Sequence, residues 1–398
     1  MKSALIREIQ STRHIIMICT LILFISCKAQ SSKQSKSSVT FLKHTLTTDF
    51  IAEGVAVGDV NKDGKLDVMA GAFWFEAPSW KKHELAMPKT YSPDTEYSNA
   101  FLSYSLDVNY DGWIDFVRIG FPGLAAEWHE NPKNATGHWK THLVYKSVGN
   151  ESPAFVDVDG DKIPDLICAD SDDKKVVWVK SPVLKGDTSW TATIISSNER
   201  RATHKYTHGL GWGDINGDGR RDVLIKDGWW ETPKDVTQPE WIFHPAAFGE
   251  ECSQMYALDV DEDGDNDVIS SSAHKYGIWW HEQQKAANGS VDWIKHEISK
   301  LFSQTHGLAL SDINGDGHPD LVTGKRYYAH NGKDPGAHEP SVLYWFEFKP
   351  GKQPTWIPHK IDDNSGVGLN IVTQDMNNDG RIDIVISNKK GVYFFEQQ

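Results

Sequence analysis

One nine-residue pattern returns seven times along this chain: DVNKDGKLD from Asp59, DVNYDGWID from Asp107, DVDGDKIPD from Asp157, DINGDGRRD from Asp214, DVDEDGDND from Asp259, DINGDGHPD from Asp312 and DMNNDGRID from Asp375. Successive copies begin 45 to 63 residues apart. That interval suits a four-stranded antiparallel unit and is too long for most solenoid repeats. The repeats therefore predict one large repetitive architecture, where length alone would also have allowed two domains.

The same strand signals follow each copy. An apolar run such as DVMAGA or DLVTG comes first, then an aromatic run ending in glutamate: WFE at Trp74, WHE at Trp128, WWE at Trp229, WHE at Trp280, WFE at Trp345 and FFE at Phe394. The third copy reads WVK at Trp178. Next comes Trp-x-x-His, as WKKH, WKTH, WIFH, WIKH and WIPH, with WTAT in the third copy. Period-two alternation marks most of these runs as half-buried strands. The last unit stops at YFFEQQ without a fourth strand, and FLKH at 41–44 can supply one from the other end of the chain. The expected fold is all-β: a seven-bladed β-propeller over 39–398, closed by the N-terminal strand pairing into the last blade so that no edge is left exposed.

The repeated loop has the spacing of a site for a hard cation. Its first positions are Asp59, Asp107, Asp157, Asp214, Asp259, Asp312 and Asp375, and its third are Asn61, Asn109, Asp159, Asn216, Asp261, Asn314 and Asn377. The fifth are Asp63, Asp111, Asp161, Asp218, Asp263, Asp316 and Asp379, and the ninth are Asp67, Asp115, Asp165, Asp222, Asp267, Asp320 and Asp383. Oxygens at these places, with a turn at the sixth and a carbonyl near the seventh, can wrap calcium. Without thiol or imidazole the loop suits zinc poorly. An Asx-type turn with no ion is the alternative for any one copy. In the third copy Lys162 stands where the others have glycine, so it must accept a left-handed backbone. Seven dications would offset the formal charge of −14, and that acidity argues against nucleic acid as a partner.

Lys2, Arg7 and Arg13 precede the apolar run IIMICTLILFIS at 15–26, which reads as a signal peptide over 1–26 and is too short to span a bilayer. Ser26 before Cys27 resembles a lipoprotein cleavage site, which implies lipidation of Cys27 and a polar tether over 27–38. The expectation is an exported monomer of the cell envelope, touching membrane only through that anchor and facing the periplasm from the outer membrane, or else secreted. Beyond the signal and the lipidated Cys27 only Cys168 and Cys252 remain, in different repeats, so no disulfide framework can be read.

The repeat also sorts the seventeen histidines. His44, His83, His142, His244, His296 and His359 recur at the Trp-x-x-His place, and His129 and His281 share the aromatic strand, so blade packing accounts for them. His14 falls in the signal, His138 in an outer connection and His318 in a loop. His204, His208, His274, His306, His330 and His338 have no counterparts. All six fall on crossovers or on connections between second and third strands, which places them on the face opposite the acidic loops. Six residues before each first aspartate lies a ring at the channel mouth: Glu53, Phe101, Glu151, His208, Ser253, His306 and Leu369. The longest connection, GKRYYAHNGKDPGAHEP at 324–340, lies on that face, and such insertions are where function is commonly grafted.

These groups suit proton abstraction beside a carbonyl or carboxylate, which needs a base, a cation for the enolate and an acid for the departing oxygen. His208, His306, Tyr328 and His330 are the candidate catalytic residues. Lys325, Arg326, His204, His274, Glu53 and Glu151 are the candidate substrate-binding residues for an anionic substrate. Zinc or another divalent metal at the central funnel, held by His208, His306 and a ring glutamate, could supply the cation.

The seven acidic loops and their strands resemble the FG-GAP or VCBS repeat propellers. More narrowly, GVAVGDVNKDGKLDVMAGAFWFE, THGLGWGDINGDGRRDVLIKDGWWE and THGLALSDINGDGHPDLVTGKRYYAHNGKDPGAHEP are similar to the propeller domain of the aldos-2-ulose dehydratase group and to propeller dehydratases that process ulvan oligosaccharides. That resemblance implies a lyase, eliminating water from a sugar or uronate by β-elimination, with an anionic oligosaccharide as the partner. A polysaccharide lyase cleaving uronate linkages shares the chemistry, and a non-catalytic glycan- or protein-binding propeller is the alternative from another class.

Overall fold

The computed structural model describes residues 39–398, and the signal, Cys27 and the tether lie outside the described residues. Seven four-stranded antiparallel sheets follow one another, six of them built in simple chain order. In the seventh, Phe41–Thr47 lies beside Gly391–Gln397, followed by Asp383–Asn388 and then Ile371–Gln374. Phe41 pairs with Gln397 and His44 with Phe394, so the ends of the propeller chain are fastened to each other. The expected closure is the observed one. The single helical element among the described residues is a 3-10 turn, Ala329–Gly332, inside the long connection.

Burial follows position within the blade. Second strands such as Asp67–Ala70, Asp165–Asp170 and Asp383–Asn388 are buried along their whole length, because neighbouring blades cover both faces. Hence their apolar runs do not alternate. Outer strands such as Lys81–Glu84 are largely exposed. Cys168 and Cys252 are buried and form no disulfide among the described residues.

The ninth-position aspartates turn both carboxylate oxygens to backbone donors. Asp67 accepts the amide of Val60 at 3.0 Å on one oxygen and that of Ala77 at 2.8 Å on the other. Asp115, Asp165, Asp222, Asp267, Asp320 and Asp383 repeat this with the second amide of their own loop and an amide at or near the end of their own third strand. All seven are buried, and both oxygens serve backbone donors that would otherwise be orphaned. These contacts staple loop to sheet. Burial raises their pKa, to about 7 for Asp115 and Asp267 and to about 6 for Asp67, Asp165, Asp222 and Asp320. The first-position residue holds the loop tip instead: Asp59 accepts the amides of Asp63 and Gly64.

A second clamp sits on the outer strands. His142 stacks on Trp128 at 4.2 Å with its Nε2 2.9 Å from Glu130, and the pattern returns at His83, His244, His296, His359 and, on Phe394, at His44. The repeated histidines are therefore blade parts. The third blade departs from the pattern, as its WVK sequence foretells. Lys180 takes the glutamate's place and contacts both Asp159 and Asp161, the latter at 2.8 Å, while Lys162 adopts the left-handed φ of 72°.

Candidate functional site

The expected ring forms, and a guanidinium closes it. Arg326, carried in by the long connection, donates Nη2 to Glu53 at 2.6 Å and Nη1 to Glu151 at 3.1 Å. The three side chains are buried and come from widely separated parts of the chain. Burial raises the Glu53 pKa despite Arg326, while the two carboxylates keep Arg326 protonated. Farther along the axis Gln254 spans between Leu369 and Leu308. A cavity of about 840 Å³ lies among the inner strands, lined by residues such as Tyr104, Phe155, Trp212 and Tyr256, and none of the seven ring residues lines it. Glu53, Arg326 and Glu151 thus form a buried ionic lattice, not the substrate-facing surface expected of them.

Against this lattice four imidazoles gather. His208 and His306 lie 5.4 Å apart between ring centres, His208 and His274 4.7 Å, and His306 and His330 6.1 Å. His274 stacks on His330 at 4.4 Å. Ligand atoms of Glu151, His208 and His306 all lie within 4.8 Å of one another, as do those of His274, His330 and Asp334. The first group is buried and the second partly exposed.

The buried group has the donor set of a metal site. Both ring nitrogens of His208 and Nε2 of His306 are buried without a hydrogen-bond partner among the described residues. Leaving such atoms unmet is costly, on the order of 1–3 kcal/mol each. The Nδ1 of His306 lies 3.2 Å from the Gln304 carbonyl, the outer contact that commonly orients a ligating imidazole. Burial lowers the His208 pKa to about 3 and that of His306 well below the usual range, with Arg326 reinforcing both. Neutral imidazoles are what a metal requires. The fit is to a divalent ion that accepts mixed N and O ligands.

The outer group couples an imidazole to a carboxylate. His330 Nδ1 lies 2.6 Å from Asp334, and its amide donates to the Tyr97 hydroxyl at 2.9 Å. Gln304 reaches Asp334 at 3.2 Å, linking outer group to inner. His274 has its pKa lowered to about 4, by burial first and by its histidine neighbours next.

Three expected site residues stand apart from this cluster. Lys325 is buried with its ammonium donating to the carbonyls of Ala337 and Glu339, so it braces the long connection and cannot receive a substrate. Tyr328 packs against His338 and Tyr327, and its left-handed backbone serves the turn. His204 is exposed and bonds within its own turn to Thr207. Sequence reasoning passed over Tyr97, Gln304 and Lys389, none of which sits at a repeated position.

The described fold carries the repeats that the acidic loops advertise. A family described as FG-GAP-like repeat matches residues 157–225 and 259–323. No curated protein matches the chain.

Proposed function

We propose that this FG-GAP-repeat β-propeller is a metal-assisted lyase that acts by β-elimination on a uronate-containing oligosaccharide. One observation carries the reading: a buried Glu151, His208 and His306 group with orphaned ring nitrogens lies directly behind the partly exposed His330–Asp334 pair. With Nδ1 donating to Asp334, His330 keeps Nε2 as its basic nitrogen. That nitrogen takes the proton beside the carboxylate, at C5. The electron pair forms the C4–C5 double bond, the C4–O bond breaks, and the departing oxygen collects the proton from the His330 imidazolium just formed, while neutral His274 stacks on that ring. A divalent ion held by Glu151, His208 and His306 would supply positive charge toward the developing enolate. Arg326 holds Glu151 in place for that purpose. Departure of hydroxide as water makes the enzyme a dehydratase, and departure of a sugar makes it a chain-cleaving lyase.

The acidic loops are proposed to hold calcium through their first, third and fifth positions, as scaffold. The carboxylates of Asp259, Asp261 and Asp263 lie within 4.8 Å of one another, which supports that role.

A second reading has support in the burial of the inner group. An ion enclosed by Glu151, His208 and His306 would tie three crossovers together, as a structural metal does in a propeller that only binds glycans. Incubation with glucuronate oligosaccharides separates the readings, followed by ultraviolet absorbance of the unsaturated product and by mass. Loss of one water per product identifies a dehydratase, and shortening of the chain identifies a lyase. No change over a broad glycan panel leaves the binding propeller.

A further inference from the structure

The two cations expected to neutralise an anionic substrate are both committed elsewhere, Lys325 to loop carbonyls and Arg326 to two glutamates. A third cation is not committed. Lys389, in the turn between the last two strands of the chain, is 1% exposed, and its ammonium has no hydrogen-bond partner among the described residues. It lies 4.1 Å from the centre of the Tyr97 ring and 5.9 Å from that of Phe50. The aromatic faces attract a cation but do not accept its protons as a carboxylate would.

Charge balance around this ammonium is incomplete. Glu53 is the strongest acidic influence, and its oxygens already accept from Arg326 at 2.6 Å and from Ser98 at 3.3 Å. The exposed Asp94 acts on Lys389 only through its field, and Arg326 opposes protonation. Burial, the largest influence, lowers the Lys389 pKa to about 8, so the amine still carries its proton at neutral pH. A buried charge of this kind is stable only when a counter-charge and hydrogen-bond acceptors arrive.

We infer that Lys389 is the anchor for a substrate carboxylate and sets the preference of this site for uronates over neutral sugars. The inference rests on the lyase reading for its substrate class. Position supports it, because Tyr97 covers Lys389 with its ring and receives the His330 amide on its hydroxyl. An anion held at Lys389 is therefore one tyrosine away from the proposed base. The ammonium has no exposed surface, so an arriving carboxylate must displace a neighbour, and the half-buried Tyr97 ring lies directly over it. A carboxylate is preferred to a dianion because one ammonium provides one charge and three donors.

Binding, read apart from turnover, tests the anchor. Titration calorimetry on the zinc-loaded full chain would compare a glucuronate oligosaccharide with its methyl ester. Wild type is expected to bind the acid at least tenfold more tightly than the ester, K389M to bind the two alike, and K389R to keep part of the preference. Metal content and melting temperature of K389M should match wild type. A K389M protein that retains the acid preference, or a wild type that shows none or binds neither sugar, overturns the anchor. Absence of elimination products with the acid preference intact overturns the lyase reading and leaves the anchor standing. Should K389M fail to fold, loss of the preference in K389Q or its retention there decides in the same way.

Discussion

Arg326 Nη2 meets Glu53 Oε1 at 2.6 Å across the mouth of the propeller, joining residues 273 positions apart. The same guanidinium holds Glu151, so one side chain from the sixth blade secures the crossovers that lead into the first and third. Removing it leaves two buried carboxylates without a counter-charge. R326M should therefore lower stability by about 3–5 kcal/mol, the range for breaking a buried pair. R326K should recover only part, since an ammonium lacks the fork that serves two acceptors. The triple change E53Q/E151Q/R326M should unfold later than R326M alone. Urea unfolding of the four proteins measures this, and equal stability of wild type and R326M would contradict it.

His306 gives the prediction for the metal. Its orphaned Nε2 is the atom on which retention should depend most, because Nδ1 is already turned to the Gln304 carbonyl. H306A should lose one equivalent of tightly held zinc per chain relative to wild type, as should H208A, while H330A should retain it and lose elimination activity. Elemental analysis after exhaustive dialysis, set beside product absorbance, reads both effects. Zinc content unchanged in H306A would remove the inner group from consideration.

Much of this architecture is legible in the sequence because a repeat repeats its geometry. The pairing of Phe41 with Gln397 follows from counting strands, and Glu53, Glu151, His208 and His306 converge because equivalent positions in a ring face one axis. What the spacing leaves open is the direction of an oxygen. Asp67 stands at the same ninth position whether it faces a cation or two backbone amides, and only the fold shows the amides. Adjacent residues also part company, as Lys325 turns back into its loop while Arg326 crosses the ring. Lys389 sits beside Lys390 in an ordinary turn, and nothing periodic distinguishes the buried amine from its partly exposed neighbour. Tyr97 arrives from an irregular crossover, where pattern carries no positional meaning.

Lys180 makes the third acidic loop an exception that can be counted. Its ammonium touches both Asp159 and Asp161, whereas Lys65, Lys133, Arg220, Lys349 and Arg381 each reach only the fifth-position carboxylate of their loops. Wild type should therefore bind fewer calcium ions than it has loops. K180E, which restores the glutamate found in the other repeats, should gain one equivalent, whereas K349A in the sixth blade should not change the count. Calcium analysis on protein equilibrated at saturating calcium provides the comparison, and an unchanged count in K180E would mean that the third loop binds its ion beside the lysine.

His129 and His281 connect the blade interiors to pH. Burial lowers their pKa to about 3 and about 4, and in the unfolded chain both titrate near the ordinary value of about 6.5. Between those limits the unfolded state binds more protons, so each contributes stability that is complete above about pH 6.5 and lost as pH falls, by about 1.4 kcal/mol per pH unit. The ninth-position aspartates act in the opposite sense. Their raised folded pKa makes the native state the better proton acceptor between about pH 4 and their values near 6 to 7, which adds stability on acidification. The slope of wild type mixes the two, so the informative quantity is a difference. His129 lies in the second blade with Thr141 at 3.1 Å from Nδ1 and no hydrogen-bond partner on Nε2 among the described residues. Replacing it with glutamine removes its proton while keeping a group that can face Thr141. Across pH 7.5 to 5, H129Q should lose stability less steeply than wild type, and the gap between the two curves should open only below about pH 6.5. Parallel urea-unfolding curves over that window would show that His129 takes its proton in the folded state, contrary to its burial.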